Sequence, residues 1–265
     1  MAKTVVITNQ KGGVGKTTTA SAIASGLALR GYKVLGVDLD PQGNFGFCLG
    51  ADIESSPTVY DLMKGTMKAD NTIQSLEGGV DIIPSNILLS GAEHEFSMLG
   101  RETLLKRGLA AVAGRYEYII IDTPPALNIL TANAYTAADS LIILMMPEIL
   151  SVLGISQLRE TIDLVKSIYN PNMEVLGILL NKYDSRRRLT QDVEELAGDI
   201  AEKLNTKVFK TKIRSSIMAA EAPAHGESIF KYAPGSNAAR DYNFFIDELI
   251  SEKGMILNGE EKQQN

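Results

Sequence analysis

The stretch Asn9-Gln10-Lys11-Gly12-Gly13-Val14-Gly15-Lys16-Thr17-Thr18 constrains this chain more than any other. A strand-length apolar run, Thr4 to Thr8, precedes it. Behind it Ala20, Ile23, Ala24, Leu27 and Ala28 recur at helical spacing. Strand, glycine-rich loop and helix in that order make a phosphate cradle. Gly12, Gly13 and Gly15 let successive backbone N–H groups turn towards one anion. The start of the helix adds partial positive charge. Lys16 is spaced to reach β- and γ-phosphates, and the Thr17 hydroxyl to ligate Mg²⁺. Gly13, Val14, Gly15 and Lys16 offer backbone donors, and Thr18 a bond to an α-phosphate. A ligand-free glycine turn would need none of this agreement between lysine, hydroxyl and flanking elements.

Two carboxylate motifs follow at the ends of strands. Lys33 to Leu39 reads as the second strand and runs into Asp38-Leu39-Asp40-Pro41-Gln42-Gly43-Asn44, where Pro41 and Gly43 turn the chain. Asp38 and Asp40 share a face of an extended segment. Tyr116 to Ile121 reads as a buried strand that ends in Asp122-Thr123-Pro124-Pro125. Such a strand carries its carboxylate to a Mg²⁺ coordination sphere, often through water. Alone, either motif describes an acidic turn. Beside a phosphate loop they mark the strand ends where open α/β sheets place ligand chemistry. Asp40 is the candidate for orienting an attacking water. A carboxylate of ordinary pKa, about 4, positions water at neutral pH better than it deprotonates it. Asp38 is assigned to the outer surroundings of the metal or to support of the proline-stiffened switch segment, Pro124-Pro125, that follows Asp122.

The remaining pattern alternates strands with helices, which predicts a largely parallel, twisted sheet covered by helices on both faces. Helices are expected over Thr58–Lys64, Leu88–Met98, Glu102–Ala113, Leu127–Ala138 and Gly154–Tyr169. Further helices are expected around Leu189 to Leu204 and over Gly235–Ile250. Strands are expected at Val80–Pro84, Ser140–Met146, Val175–Asn181 and, as the last one, Thr206–Lys210. One domain over 1–250 with a polar tail over 251–265 accounts for the 265 residues. Cys48 is the single cysteine, so no intrachain disulfide or thiolate cluster is expected, and it reads as a small core residue. Met1-Ala2-Lys3 lead straight into a strand without a signal peptide, and the longest apolar runs are of strand length. His225 and His94 read as ordinary loop or structural histidines.

Measured against G-x-x-x-x-G-K-[ST], the first glycine of the loop is replaced by Gln10, and an extra lysine, Lys11, stands beside it. This K-G-G-x-G-K-T form is the deviant Walker A motif. It resembles the family of dimerising P-loop NTPases that includes ParA/Soj partition proteins, MinD division-site proteins and the nitrogenase iron protein. Spacing alone leaves two readings of Lys11, a solvated loop lysine or a functional one. The resemblance implies the second: the lysine crosses a two-fold interface to the ATP of a partner copy. It also implies an ATPase using ATP and Mg²⁺ that forms a homodimer on ATP binding. Asn181-Lys182-Tyr183-Asp184 resembles the N-K-x-D base-binding element of related NTPases, which would give Asn181 an amide contact to adenine.

Within the family, one cysteine is too few for the cluster of a nitrogenase-type reductase. The end of the chain, Asn258 to Asn265, is polar and lacks the basic amphipathic helix of a MinD-type membrane anchor. Asn9-Gln10-Lys11, Asp40 to Asn44 and Glu221-Ala222-Pro223-Ala224-His225-Gly226 resemble the ParA/Soj branch, with Ala224 where a serine is usual. That branch implies a cytoplasmic, nucleoid-associated protein. It would bind DNA non-specifically and respond to a ParB-like centromere-binding partner, without a membrane. A cargo-positioning nucleoid ATPase and a MinD-like membrane regulator are the alternatives. The net charge of −6 gives no overall attraction to nucleic acid, so DNA contacts need a local basic patch. The candidates are Arg186, Arg187 and Arg188, and Lys207, Lys210, Lys212 and Arg214, each equally readable as a solvated face.

Overall fold

A computed structural model describes residues 2–55, 57–96, 98–186 and 188–251. The strands are β1 (Lys3–Thr8), β2 (Val34–Asp38), β3 (Gln74–Ser75), β4 (Val80–Ile83), β5 (Tyr118–Asp122), β6 (Ser140–Met145), β7 (Glu174–Tyr183) and β8 (Ile213–Arg214). They form one sheet in the order β3-β4-β2-β5-β1-β6-β7-β8, parallel except for β3 against β4. The central strands are apolar on both sides because both faces are covered. Val5 and Ile7 of β1 enter one core and Val6 the other; Ile120 and Ile121 of β5 divide in the same way.

The core containing Val5 is closed by α1 (Lys16–Leu29), α2 (Asn44–Cys48) and the C-terminal helices. The opposite core is closed by α3 (Val59–Lys64), α4 (Ala69–Thr72), α5 (Ala92–Glu95), α6 (Leu104–Leu109), α7 (Ile129–Ala137), α8 (Ile149–Ile168) and α9 (Arg188–Lys203). The C-terminal helices are α10 (Ile217–Glu221), α11 (Ile229–Tyr232) and α12 (Asn237–Ser251). Cys48 is buried as expected, and burial pushes its thiol up to about 12. Apart from Ser251, which ends α12, the expected tail lies outside the described residues.

The last strand is not where the sequence pattern predicts it. Thr206–Lys210 makes a single parallel bridge, Ile178 to Val208. The Glu248 carboxylate then accepts from the N–H groups of Lys210 and Thr211, at 2.8 and 2.9 Å, so they are lost to any ladder. The chain re-enters the sheet as β8. Phe209 lies against Gly177, where a Cβ would come within 2.6 Å of its ring. The predicted helices 88–98 and 102–113 are short 3₁₀ and α turns, Ile87–Gly91 running into α5 and Arg101–Thr103 into α6. The long helix before β7 begins at Ile149, one turn earlier than the periodicity suggests.

Candidate functional site

The loop after β1 behaves as its glycines require. Gly13 and Gly15 have φ of 73° and 93°, a region that side-chain-bearing residues avoid. Gly15 is the residue that caps α1, and a Cβ there would strike the Asn181 amide. Gly15→Ala is therefore expected to destabilise the fold by ~1–3 kcal/mol. Thermal unfolding followed by circular dichroism checks it; an unchanged melting temperature would contradict the strain. Lys16 is buried, and its Nζ lies 3.3 Å from the Lys11 carbonyl oxygen. Burial lowers its pKa, while Asp122 and Asp40 pull it back up.

The two central carboxylates stand side by side, because β2 and β5 pair with Asp38 opposite Asp122. Thr17 donates its hydroxyl to Asp122 Oδ2 at 2.6 Å. Asp122 Oδ1 is buried with no hydrogen-bond partner. Burial raises the Asp122 carboxyl to about 7, against the pull of Thr17 and Lys16. An orphaned, desolvated carboxylate oxygen beside a threonine hydroxyl fits a hard divalent cation such as Mg²⁺. Asp38, also raised by burial and by Asp122, turns its oxygens elsewhere. Oδ1 accepts from Asp40 N at 2.9 Å, and Oδ2 from Phe45 N and Gly46 N at 2.9 and 3.2 Å. Its contacts are those of a residue bracing the turn into α2. Asp40 sits on that turn, held by Gln42 N–H at 3.0 Å from its Oδ1.

A cavity of about 400 Å³ opens over the loop. Gly12, Gly13, Gly15, Lys16, Thr17, Thr18, Asp40 and Pro125 line it, together with Asn181, Lys182, Ile213, Arg214, Ser215, Ser216, Ala219, Ala220 and Tyr242. Asn181 thus reaches the pocket, and its amide donates to the Val14 carbonyl at 2.7 Å. The wall over 213–220 and Tyr242 was not legible as site. Its residues carry no motif, and Tyr242 sits in an ordinary amphipathic helix. Tyr242 is placed by its hydroxyl, 3.0 Å from Thr19 Oγ1 of α1. Lys11 does not line this cavity. Its ammonium forms an ion pair with Glu148 at the start of α8, and its N–H donates to Asn9 Oδ1 at 2.6 Å.

A family profile described as an AAA domain matches residues 2–175. The sporulation initiation inhibitor protein Soj of Bacillus subtilis is 42% identical over 256 residues, covering 95% of this chain and 99% of that one. The chromosome partitioning protein ParA of Caulobacter vibrioides is 36% identical, covering 95% of each chain. The chain belongs to the ParA/Soj family. Among solved structures, cobyrinic acid a,c-diamide synthase of Mycobacterium smegmatis, with a bound ATP analogue and magnesium, superposes with a TM-score of 0.81. It is 34% identical and covers 93% of each chain.

In this ParA/Soj chain the basic candidates are placed unevenly. Arg186 is exposed and folds back on Asp184, 3.0 Å away. Arg187 lies outside the described residues, and Arg188 begins α9. Lys212 pairs with Glu194 and lies over the Tyr183 ring. Lys207 Nζ is 5.3 Å from the Phe209 ring centroid, and Lys210 flanks the Glu248 contact. Arg214 grips Asp241 of α12 with Nη2 and Nε, at 2.6 and 2.9 Å, on the wall of the cavity. The ParA/Soj-like segment Glu221–Gly226 packs on the turn after α2, where a Cβ on Gly226 would lie 3.5 Å from the Gly50 Cα.

Proposed function

We propose that this chain is a partition ATPase that uses ATP and Mg²⁺ to switch between a free protomer and a DNA-bound homodimer. The observation that carries the reading is one cluster: the glycine loop with Lys16 and Thr17, the orphaned Asp122 oxygen beside Thr17, and Asp40 on the adjoining turn. Backbone N–H groups of Gly13 to Lys16 and the Lys16 ammonium hold the phosphates. Thr17 and Asp122 hold the cation, which neutralises charge on the transferring phosphoryl group. Asp40 orients the water. Lys11 serves the nucleotide of a second copy, so hydrolysis is slow until the dimer closes, and a ParB-like partner accelerates it. Asn181 stands at the adenine end.

The dimer would meet DNA through backbone phosphates, with Arg186 to Arg188 and Lys207, Lys210 and Lys212 as contacts. Arg214, Lys212 and Arg186, held by Asp241, Glu194 and Asp184, would contribute by changing partner. Nucleoid association follows from such binding. The test is co-sedimentation with unrelated DNA fragments and with anionic liposomes, each with ATP and with ADP. Binding to DNA only with ATP, weakening steeply with salt, is the expected result. Binding to liposomes alone would replace partition by a membrane role.

A further inference from the structure

Three side-chain donors hold the carbonyl oxygens of the phosphate loop. Lys16 takes that of Lys11, Asn181 that of Val14, and Lys182 that of Gly13, the last at 2.8 Å. Lys16 must leave its carbonyl to serve a phosphate, whereas Lys182 and Asn181 need not. A peptide unit is planar and trans, so its C=O and N–H point in opposite directions. Drawing the Gly13 oxygen to one side therefore turns the Val14 N–H to the other. Drawing the Val14 oxygen does the same for Gly15. Gly13, which lacks a Cβ, imposes little preference from its own side of that peptide, so the tether adds to whatever Val14 dictates from the other.

The backbone around Lys182 is built for this reach. Asn181 pairs with Ile213 of β8 and Tyr183 with the next residue, Arg214, so Lys182 is the extra residue of a β-bulge. A bulge re-aims the side chain it carries. Lys182 also has a φ of 54°, one of two positive values among the described non-glycine residues. Such a conformation persists only where the surroundings enforce it. Its N–H is held by Asn181 Oδ1 at 2.9 Å, so the two tethering residues also fix each other.

We propose that Lys182 is a positioning residue for the phosphate loop. Its bulge directs the ammonium onto the Gly13 carbonyl and thereby presents the Val14 N–H to the phosphates. The proposal rests on the loop being a nucleotide site.

Lys182→Gly separates tether from strain, because glycine accepts the left-handed conformation while the ammonium is lost. Its melting temperature should equal or exceed that of the unaltered protein. Its Kd for Mg-ADP by titration calorimetry should rise about tenfold, the scale of one lost charge-assisted hydrogen bond. The Val14 and Gly15 amide resonances should shift, and Lys182→Arg should recover most of the affinity. Unchanged ADP affinity and unmoved amide resonances in Lys182→Gly would overturn the proposal. Failure of the unaltered protein itself to bind ADP would overturn the nucleotide reading instead, leaving the tether to be judged on the amide resonances alone.

Discussion

Lys11→Ala is expected to abolish ATP-dependent dimerisation while leaving ATP affinity close to that of the unaltered protein. The side chain does not line the cavity over its own loop, and its ammonium is turned to Glu148. Removing it therefore takes nothing from the nucleotide site of the same copy. On the reading proposed here, what it removes is a cation buried against phosphates at a closed two-fold interface. Truncating one partner of such a pair costs on the order of 2–5 kcal/mol, enough to shift the dimer constant by about one and a half to three and a half decades. The ion pair it must leave is cheap to break: the two side chains are 36% and 45% exposed, and such pairs contribute ~1 kcal/mol or less. Sedimentation velocity with ATP and with ADP checks it. A variant that dimerises normally with ATP would remove the trans role of Lys11.

Asp122→Asn should act in opposite directions on the two states of the site. Without nucleotide and metal, the buried Asp122 carboxyl titrates near 7 rather than near 3.8. A raised carboxylate pKa means that the folded state binds the proton more tightly than the unfolded chain does. Stability from this group is thus undiminished below about pH 4, declines between about 4 and 7, and is fully lost above 7. Removing the charge should stabilise the nucleotide-free protein at pH 8 by ~2–4 kcal/mol, by about a third of that at pH 5, and by little at or below about pH 4. Adding Mg-ATP should reverse the order, because the unaltered protein gains the cation and the amide does not. Melting curves at pH 5 and pH 8, with and without Mg-ATP, read both effects. An Asp122→Asn protein no more stable than its parent at pH 8 would show that the buried charge does not destabilise the nucleotide-free protein.

The phosphate loop and the two aspartate-bearing strands were legible because each is local: glycines, a lysine and a hydroxyl within ten residues, and carboxylates at the ends of apolar runs. Sheet class followed from strand–helix alternation in the same way. What failed was decided by distant residues. Thr206–Lys210 has strand composition, yet Glu248 takes the two N–H groups that would extend it. Lys207 to Arg214 reads as one basic stretch, but Asp241 and Glu194 commit two of its four cations and set one on the pocket wall. Asn181 was found from a four-residue motif. The placement of Lys182 beside it is not legible in the same motif, since it depends on a backbone bulge that composition does not encode.

The hydroxyl contact between Thr19 and Tyr242 joins residues 223 positions apart. The ribosome makes the anion-binding loop long before the helix that walls its pocket. A nascent chain carries the full loop motif long before it has a complete site. Nucleotide capture therefore belongs to the finished polypeptide, and a C-terminal truncation ahead of α12 should yield a product that keeps every signature residue of the loop and still binds poorly.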